Sequence, residues 1–283
     1  MSAILLNGKE MEKELLVSQI ERCNALKAQG VQPMLSVIIV GEDPASEIYV
    51  RNKSRMCDNI GILSQTIRMP ADITQEALEA EIDRLNADDA VTGILVQLPL
   101  PRHLNENQAL AKILPEKDVD GFHPVNAGKL FLGEEAPAAC TPAGCMELLR
   151  RTGISLNGKR AVVLGRSNIV GKPMAAMLLQ ANCTVTVCHS KTENLSAITR
   201  EADILVAAIG KPKFVTAEMV KSAAVVLDVG INRLADGTLC GDVDTDDVAR
   251  VASYITPVPG GVGPMTIAML LVNTVKAAEK YAE

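Results

Sequence analysis

The chain contains no tryptophan and only three tyrosines and three phenylalanines in 283 residues. Its core must therefore be built from Leu, Ile, Val, Ala and Met, and a tyrosine on a polar helix becomes a candidate for function rather than packing. No run of 18 apolar residues occurs, which excludes a transmembrane helix. The opening segment to Lys9 is interrupted at once by Gly8, Lys9 and Glu10, so it does not read as a signal peptide. Basic runs are missing too, and the net charge of −6 argues against a nucleic-acid partner. None of the seven cysteines forms Cys-x-x-Cys, and their odd number and scatter fit free thiols in a reducing cytoplasm. His103, His123 and His189 lie far apart in the sequence, so no metal site is expected.

What is present reads as a soluble α/β protein. Apolar residues make up 48% and charged residues 22%, and the length favours two domains. Residues 7–29 read as a helix with Met11, Leu15, Ile20, Cys23 and Leu26 near one face and Gly30 as its stop. Strands are expected at 34–40, 63–69 and 93–98, with helices at about 45–59 and 74–86 between them. Each strand is read as a continuous apolar run, which implies a parallel sheet covered on both faces. The segment from Phe131 to Pro142 carries no period, and the domain junction is placed there. A second alternating series follows, with strands at 160–164, 184–188, 204–208, 225–229 and 254–256. Its helices are expected at 172–181 and 194–201, with a last helix from about Pro264 to Tyr281.

Four features carry chemistry. Thr256-Pro-Val-Pro-Gly-Gly-Val-Gly-Pro-Met-Thr266 sets three glycines among three prolines before an apolar helix, a rigid shelf at a helix N-terminus suited to a cofactor or anion. An ordinary tight turn would use fewer of both. Gly165-Arg-Ser-Asn-Ile-Val-Gly171 follows a strand and opens a helix, where a nucleotide-binding turn belongs, although Gly-x5-Gly replaces the usual fingerprint. The next strand ends in His189-Ser190-Lys191, with no acid for a ribose 2′-hydroxyl. Arg166 and Ser190 instead suit a 2′-phosphate and hence NADP, although spacing alone also allows plain solvent exposure for them. Ser46, Tyr49 and Lys53 share a helix face, where a phenol beside an ammonium can position a ring and move a proton. Gln97, at a strand end, and Asp120, in Lys117-Asp-Val-Asp-Gly121, are polar groups where an open α/β sheet places its ligands, though strand-end and turn roles would also explain them.

Together these blocks resemble the bifunctional methylenetetrahydrofolate dehydrogenase/cyclohydrolase family. The matching stretches are Ser46-x-x-Tyr49-x-x-x-Lys53, Val96-Gln-Leu-Pro-Leu-Pro101, Lys117-Asp-Val-Asp-Gly-Phe-His-Pro124, Gly165 to Pro173, Asp228-Val-Gly-Ile-Asn232 and the loop from Pro257 to Thr266, in family order. The resemblance implies two α/β domains with a cleft between them. Residues 1–138 would form the folate-binding catalytic domain, with the helix of about 265–283 packed back on it, and 139–264 a Rossmann-like NADP domain. It further implies a cytoplasmic homodimer that interconverts tetrahydrofolate derivatives in one-carbon metabolism. By position, Lys53 is the acid/base of the hydrolytic step, Gln97 tunes it, Tyr49 packs on the folate and Asp120 anchors the pterin edge. Ser46, Leu98, Pro99, Pro259, Gly260 and Gly261 complete the folate site. Gly165, Arg166, Ser167, Ile169, Ser190, Ile231 and Thr256 line the NADP site. A short-chain dehydrogenase also uses Tyr-x-x-x-Lys, but after its nucleotide turn, whereas Tyr49 lies far ahead of Gly165. A monofunctional dehydrogenase or a non-catalytic folate-binding protein would share much of this pattern.

Overall fold

The computed structural model describes residues 2–282. In chain order its elements are β1 (Ile4–Leu5), α1 (Gly8–Ala28), β2 (Met34–Val40), α2 (Pro44–Ile60), β3 (Leu63–Met69), α3 (Gln75–Asn86), β4 (Gly93–Val96), α4 (Glu106–Lys112), α5 (Pro124–Leu132) and α6 (Cys140–Arg151). There follow β5 (Arg160–Leu164), α7 (Gly171–Gln180), β6 (Thr184–Cys188), α8 (Leu195–Thr199), β7 (Ile204–Ala207), β8 (Val225–Asp228), β9 (Asn232–Arg233), β10 (Leu239–Cys240), α9 (Thr245–Val248), β11 (Tyr254–Ile255) and α10 (Val262–Glu279). The chain divides into two compact units.

The first unit comprises residues 14–129, 135–138 and the segment from Leu270 onward. Its sheet is parallel, in the order β3-β2-β4. The central strand β2 is a run of seven residues, buried from Leu35 to Val40, as a strand covered on both faces requires. Ile38, Val40, Ile94 and Val96 pack with Leu78, Ile82 and Leu85 of α3 and with Ala109 and Leu110 of α4. Within this unit Asn273 of α10 donates to the carbonyls of Val119 and Ala138, each at 2.9 Å.

The second unit comprises the segment up to Lys13, residues 130–134 and residues 139–269. Its parallel six-stranded sheet has the order β1-β11-β8-β7-β5-β6. The order reverses at β5, which is followed by β6 on one side and has β7 on the other, so the β5–α7 turn lies at a topological switch point. The core is aliphatic and small: Val162, Leu164, Leu205, Ala207, Val226 and Ile255 are all buried within it.

Several expectations need correction. Strand β3 is not a continuous apolar run. It is an edge strand, where polar residues cost little: Gln65 donates to Ser36 at 2.6 Å, and Arg68 pairs with Glu47. The segment from Phe131 to Pro142, read as having no period, holds the end of α5 at Leu132 and the start of α6 at Cys140, a helix that was not expected. The inward face of α6 is Cys140, Ala143, Gly144, Cys145, Leu148 and Leu149, too poor in large apolar residues to show a period, and Pro142 is tolerated because it sits in the first turn. In α1 the buried side chains are Gln19, Cys23 and Leu26, while Ile20 is exposed. Strand β4 stops at Val96, so Gln97 and Leu98 follow it rather than ending it.

Candidate active site

Lysine rarely lies buried without partners, because removing an ammonium from water is costly. Lys53 on α2 is only 9% exposed, and its Nζ donates to Gln97 Oε1 at 3.0 Å. The geometry follows from the sheet. Helix α2 leaves the carboxyl end of β2, with Asp43 capping it by accepting the Ser46 amide at 2.8 Å. Gln97 leaves the neighbouring β4, its amide bonded to Ile38 O at 2.8 Å. The Gln97 Nε2 donates to Leu98 O at 2.7 Å, which turns its carbonyl toward Lys53. Tyr49 and Ser46 lie on the same helix face as Lys53, Ser46 buried and Tyr49 at 36% exposure. Burial pushes the Tyr49 phenol above its ordinary value, so it stays a protonated donor at neutral pH.

The segment that carries Asp120 is anchored by its neighbours. Lys117 is buried, and its Nζ caps the end of α3 by donating to the carbonyls of Leu85, Asn86 and Asp88 at 3.2, 2.8 and 2.8 Å. Its burial pulls the ammonium below the usual lysine value. Asp118 accepts from the amides of Gly121, Phe122 and His123 and from Asn126 Nδ2, at 3.1, 3.2, 2.8 and 2.9 Å. A parallel bridge sets Asp118 beside Ile94, so the chain runs on to Asp120 in the direction in which β4 leads to Gln97. The half-buried Asp120 thus leaves this sheet at the same end as Gln97. Pro99 follows a cis peptide bond and is exposed beside Leu98.

In the second unit a cavity of about 330 Å³ opens at the switch point. Gly165, Arg166, Ser167, His189, Ser190 and Lys211 line its polar side, with Leu195, Ile209 and Phe214 on the apolar side. Gly165 has φ +118, and a Cβ there would lie 2.2 Å from Ala208 O, so only glycine fits this close approach. The Ser167 hydroxyl accepts from the amides of Val170 and Gly171 at 3.1 and 3.3 Å, tightening the turn into α7. Ile169 and Ile231 are 38% and 50% exposed, an unusual setting for isoleucine. The loop after β11 closes with Gly261 N on Pro257 O at 2.8 Å, and Gly260 has φ +110 after the exposed Pro259. Thr256 is fully buried, and its Oγ1 accepts the Asp228 amide at 2.7 Å. Its hydroxyl is therefore engaged inside the fold rather than presented at the surface.

The structure thus brings Ser46, Tyr49, Lys53 and Gln97 to one end of the first sheet. It gathers Gly165, Arg166, Ser167 and Ser190 around one cavity in the second unit. Reading the sequence placed Lys117, Asp118 and Asp228 within motifs but gave them no role, and it passed over Asn126 and Asp242. The legible signal would have been an acid directly after an apolar strand, as in Val225 to Asp228, since a carboxylate there needs partners. All seven cysteines are buried and outside any disulfide, and burial pushes Cys57 and Cys145 up to about 12. Among the described residues no cluster could hold a metal ion, and no helix is long and apolar enough to cross a membrane.

Comparison with known proteins covers both units. Residues 6–120 match the family model described as the catalytic domain of tetrahydrofolate dehydrogenase/cyclohydrolase, and residues 139–282 match its NAD(P)-binding domain. A Bacillus anthracis protein named bifunctional protein FolD is 54% identical over 99% of this chain and 98% of its own. The crystal structure of the bifunctional FolD methylenetetrahydrofolate dehydrogenase/cyclohydrolase from Campylobacter jejuni superposes with a TM-score of 0.97 at 50% identity, covering 99% of this chain and 100% of that one. The Trypanosoma brucei methylenetetrahydrofolate dehydrogenase-cyclohydrolase, solved with NADP cofactor and an inhibitor, gives 0.95 at 42% identity over 99% of both chains.

Proposed function

The chain belongs to the tetrahydrofolate dehydrogenase/cyclohydrolase family, and from that premise we infer how its own residues divide the work of the two reactions. It is a bifunctional enzyme of one-carbon metabolism. It oxidises 5,10-methylenetetrahydrofolate with NADP to the methenyl cation and hydrolyses that cation to 10-formyltetrahydrofolate. NADP, when bound, supplies the acceptor for the hydride. The remaining work is positioning and proton transfer.

The observation that carries the assignment is the bond from the buried Lys53 to Gln97. Hydrolysis adds water to an electron-poor carbon, releases a proton and then delivers one to the departing ring nitrogen. Lys53, on a helix face with Tyr49, is the group for that transfer, and Gln97 holds its Nζ in one place. Tyr49 presents ring and phenol to the pterin, and Asp120 accepts its N–H groups from the loop that Asp118 shapes. Leu98 and Pro99 supply close walls of the folate site in the first unit, and Pro259, Gly260 and Gly261 form the glycine shelf of the second.

The cavity fits the adenosine end of NADP, because Gly165 gives backbone access, Arg166 supplies a cation and Ser190 a hydroxyl, with no carboxylate in the His189-Ser190-Lys191 stretch after β6 or among the lining residues to oppose a phosphate. Ser167 and the exposed Ile169 and Ile231 extend this binding surface. Thr256 serves it indirectly, through Asp228. Buried thiols outside any disulfide suit a reducing cytoplasm, and the homodimer is what the family resemblance implies.

The test is the absorbance of methenyltetrahydrofolate formed with NADP and with NAD, then its decay by hydrolysis. Formation with NADP followed by faster-than-spontaneous decay is expected; formation without enzymatic decay would leave a monofunctional dehydrogenase. Arg166→Ala is expected to raise the Michaelis constant for NADP about ten-fold and barely change that for NAD, since a charge-assisted hydrogen bond is worth ~1.5–3 kcal/mol. Equal losses with both dinucleotides would show that Arg166 does not read the 2′-phosphate.

A further inference from the structure

Two carboxylates, Asp228 and Asp242, are fully buried in the second unit. Asp242 Oδ2 accepts the amides of Ile209 and Gly210 at 2.6 and 3.0 Å. Its Oδ1 accepts the Lys211 amide and Asn232 Nδ2 at 2.8 and 2.9 Å. Asp228 Oδ1 accepts the amides of Gly230 and Asp242 at 3.0 and 2.9 Å, and Oδ2 that of Val243 at 2.9 Å. Gly241 packs so closely that a Cβ there would lie 1.8 Å from Asp228 Oδ2.

Buried carboxylates destabilise a fold unless their lone pairs are used, and a neighbouring like charge adds to the cost. That cost is visible at Asp228. Burial pushes its carboxyl up to about 6, the charge of Asp242 adds to the rise, and the three amides oppose it. What the arrangement achieves is convergence. Three loops, at 209–211, 230–232 and 241–243, meet on two side chains. The first of these lines the dinucleotide cavity through Ile209 and Lys211, together with Gly165 and Arg166. The second carries the half-exposed Ile231.

We propose that Asp242, braced by Asp228, is a positioning residue for the dinucleotide. Its carboxylate sets the Ile209–Lys211 wall and the Ile231 loop in the arrangement that receives the cofactor. The proposal rests on the reading above that this cavity seats NADP. Asp242 does not touch the cofactor; it acts through the backbone of the loops it gathers.

Asp242→Asn keeps the side-chain volume but leaves one oxygen for four donors and turns an NH₂ toward the wall. The dissociation constant of NADP by calorimetry and its Michaelis constant are both expected to rise about ten-fold or more, with kcat at saturating NADP falling less than about three-fold. Hydrolysis of methenyltetrahydrofolate is expected to fall less than NADP affinity does. Asn232→Ala, which removes one donor from a half-buried side chain, should shift NADP affinity the same way by roughly two- to five-fold. Unchanged NADP affinity in a folded Asp242→Asn protein would overturn the proposal. So would a lowered melting temperature with both activities falling in parallel, the mark of a structural role. If Asp242→Asn does not fold, Asn232→Ala decides, and wild-type NADP affinity there overturns the proposal. Failure of the unaltered protein to bind NADP would remove the underlying reading and this proposal together, an outcome distinct from normal binding in both parent and variants.

Discussion

Lys53→Met is expected to slow methenyltetrahydrofolate hydrolysis by ~10²–10⁴-fold, the range that a positioned acid/base contributes. The substitution keeps the length of the stem and its packing on α2 while removing the group proposed to gain and lose a proton. The oxidation step should suffer less. Hydride passes directly between carbon atoms and calls on Lys53 only for placement of the ring. The methenyl intermediate should therefore accumulate, visible by stopped-flow absorbance after mixing with the methylene substrate and NADP. Gln97 bears on the same result: its carbonyl is the 3.0 Å partner of Lys53 Nζ, so Gln97→Leu should weaken hydrolysis in the same sense by freeing that nitrogen to wander. Equal losses in both steps, with circular dichroism unchanged, would make Lys53 a positioning residue only.

Asp118→Ala is expected to destabilise the first unit by about 3 kcal/mol or more. The carboxylate is 1% exposed and accepts from four N–H groups. Leaving buried donors unpaired costs ~1–3 kcal/mol apiece before water or rearrangement recovers part of it. For a protein of this size that corresponds to a fall of roughly 6–12 °C in the unfolding midpoint. Folate affinity should fall with it even when the protein is held well below that midpoint, because the turn that aims Asp120 loses its template. Calorimetry with folate and, separately, with NADP distinguishes the two consequences, since the Asp118 turn belongs to the first unit and the dinucleotide cavity to the second. A protein with a normal midpoint and normal folate affinity would show that Lys117 and Asn126 hold the turn without Asp118.

How much was legible depended on the physics of each element. Strands β2 and β5 stand at the residues expected from their apolar runs, because a strand covered on both faces announces itself locally. Strand β3 had the expected bounds but the wrong character, since an edge position relaxes the demand for apolar side chains. Helix α6 was invisible because Ala, Gly and Cys can form a buried face without a strong hydrophobic signal.

The sequence by itself determined the alternation of strand and helix, the glycine turn after β5 and the ordered motifs that mark the family. Each of these is a matter of neighbours within a few residues, where backbone sterics and side-chain period act directly. The meeting of Lys53 with Gln97, 44 positions away, was implied by the family resemblance but takes its geometry from the tertiary structure, and only the tertiary structure decided that Asp228 and Asp242 gather three loops between them. It likewise decided that β1 completes the six-stranded sheet beside β11, from the far end of the chain. Those partnerships follow from strand order and register, which are set by the packing of the whole sheet and leave no trace in the local pattern of any one segment.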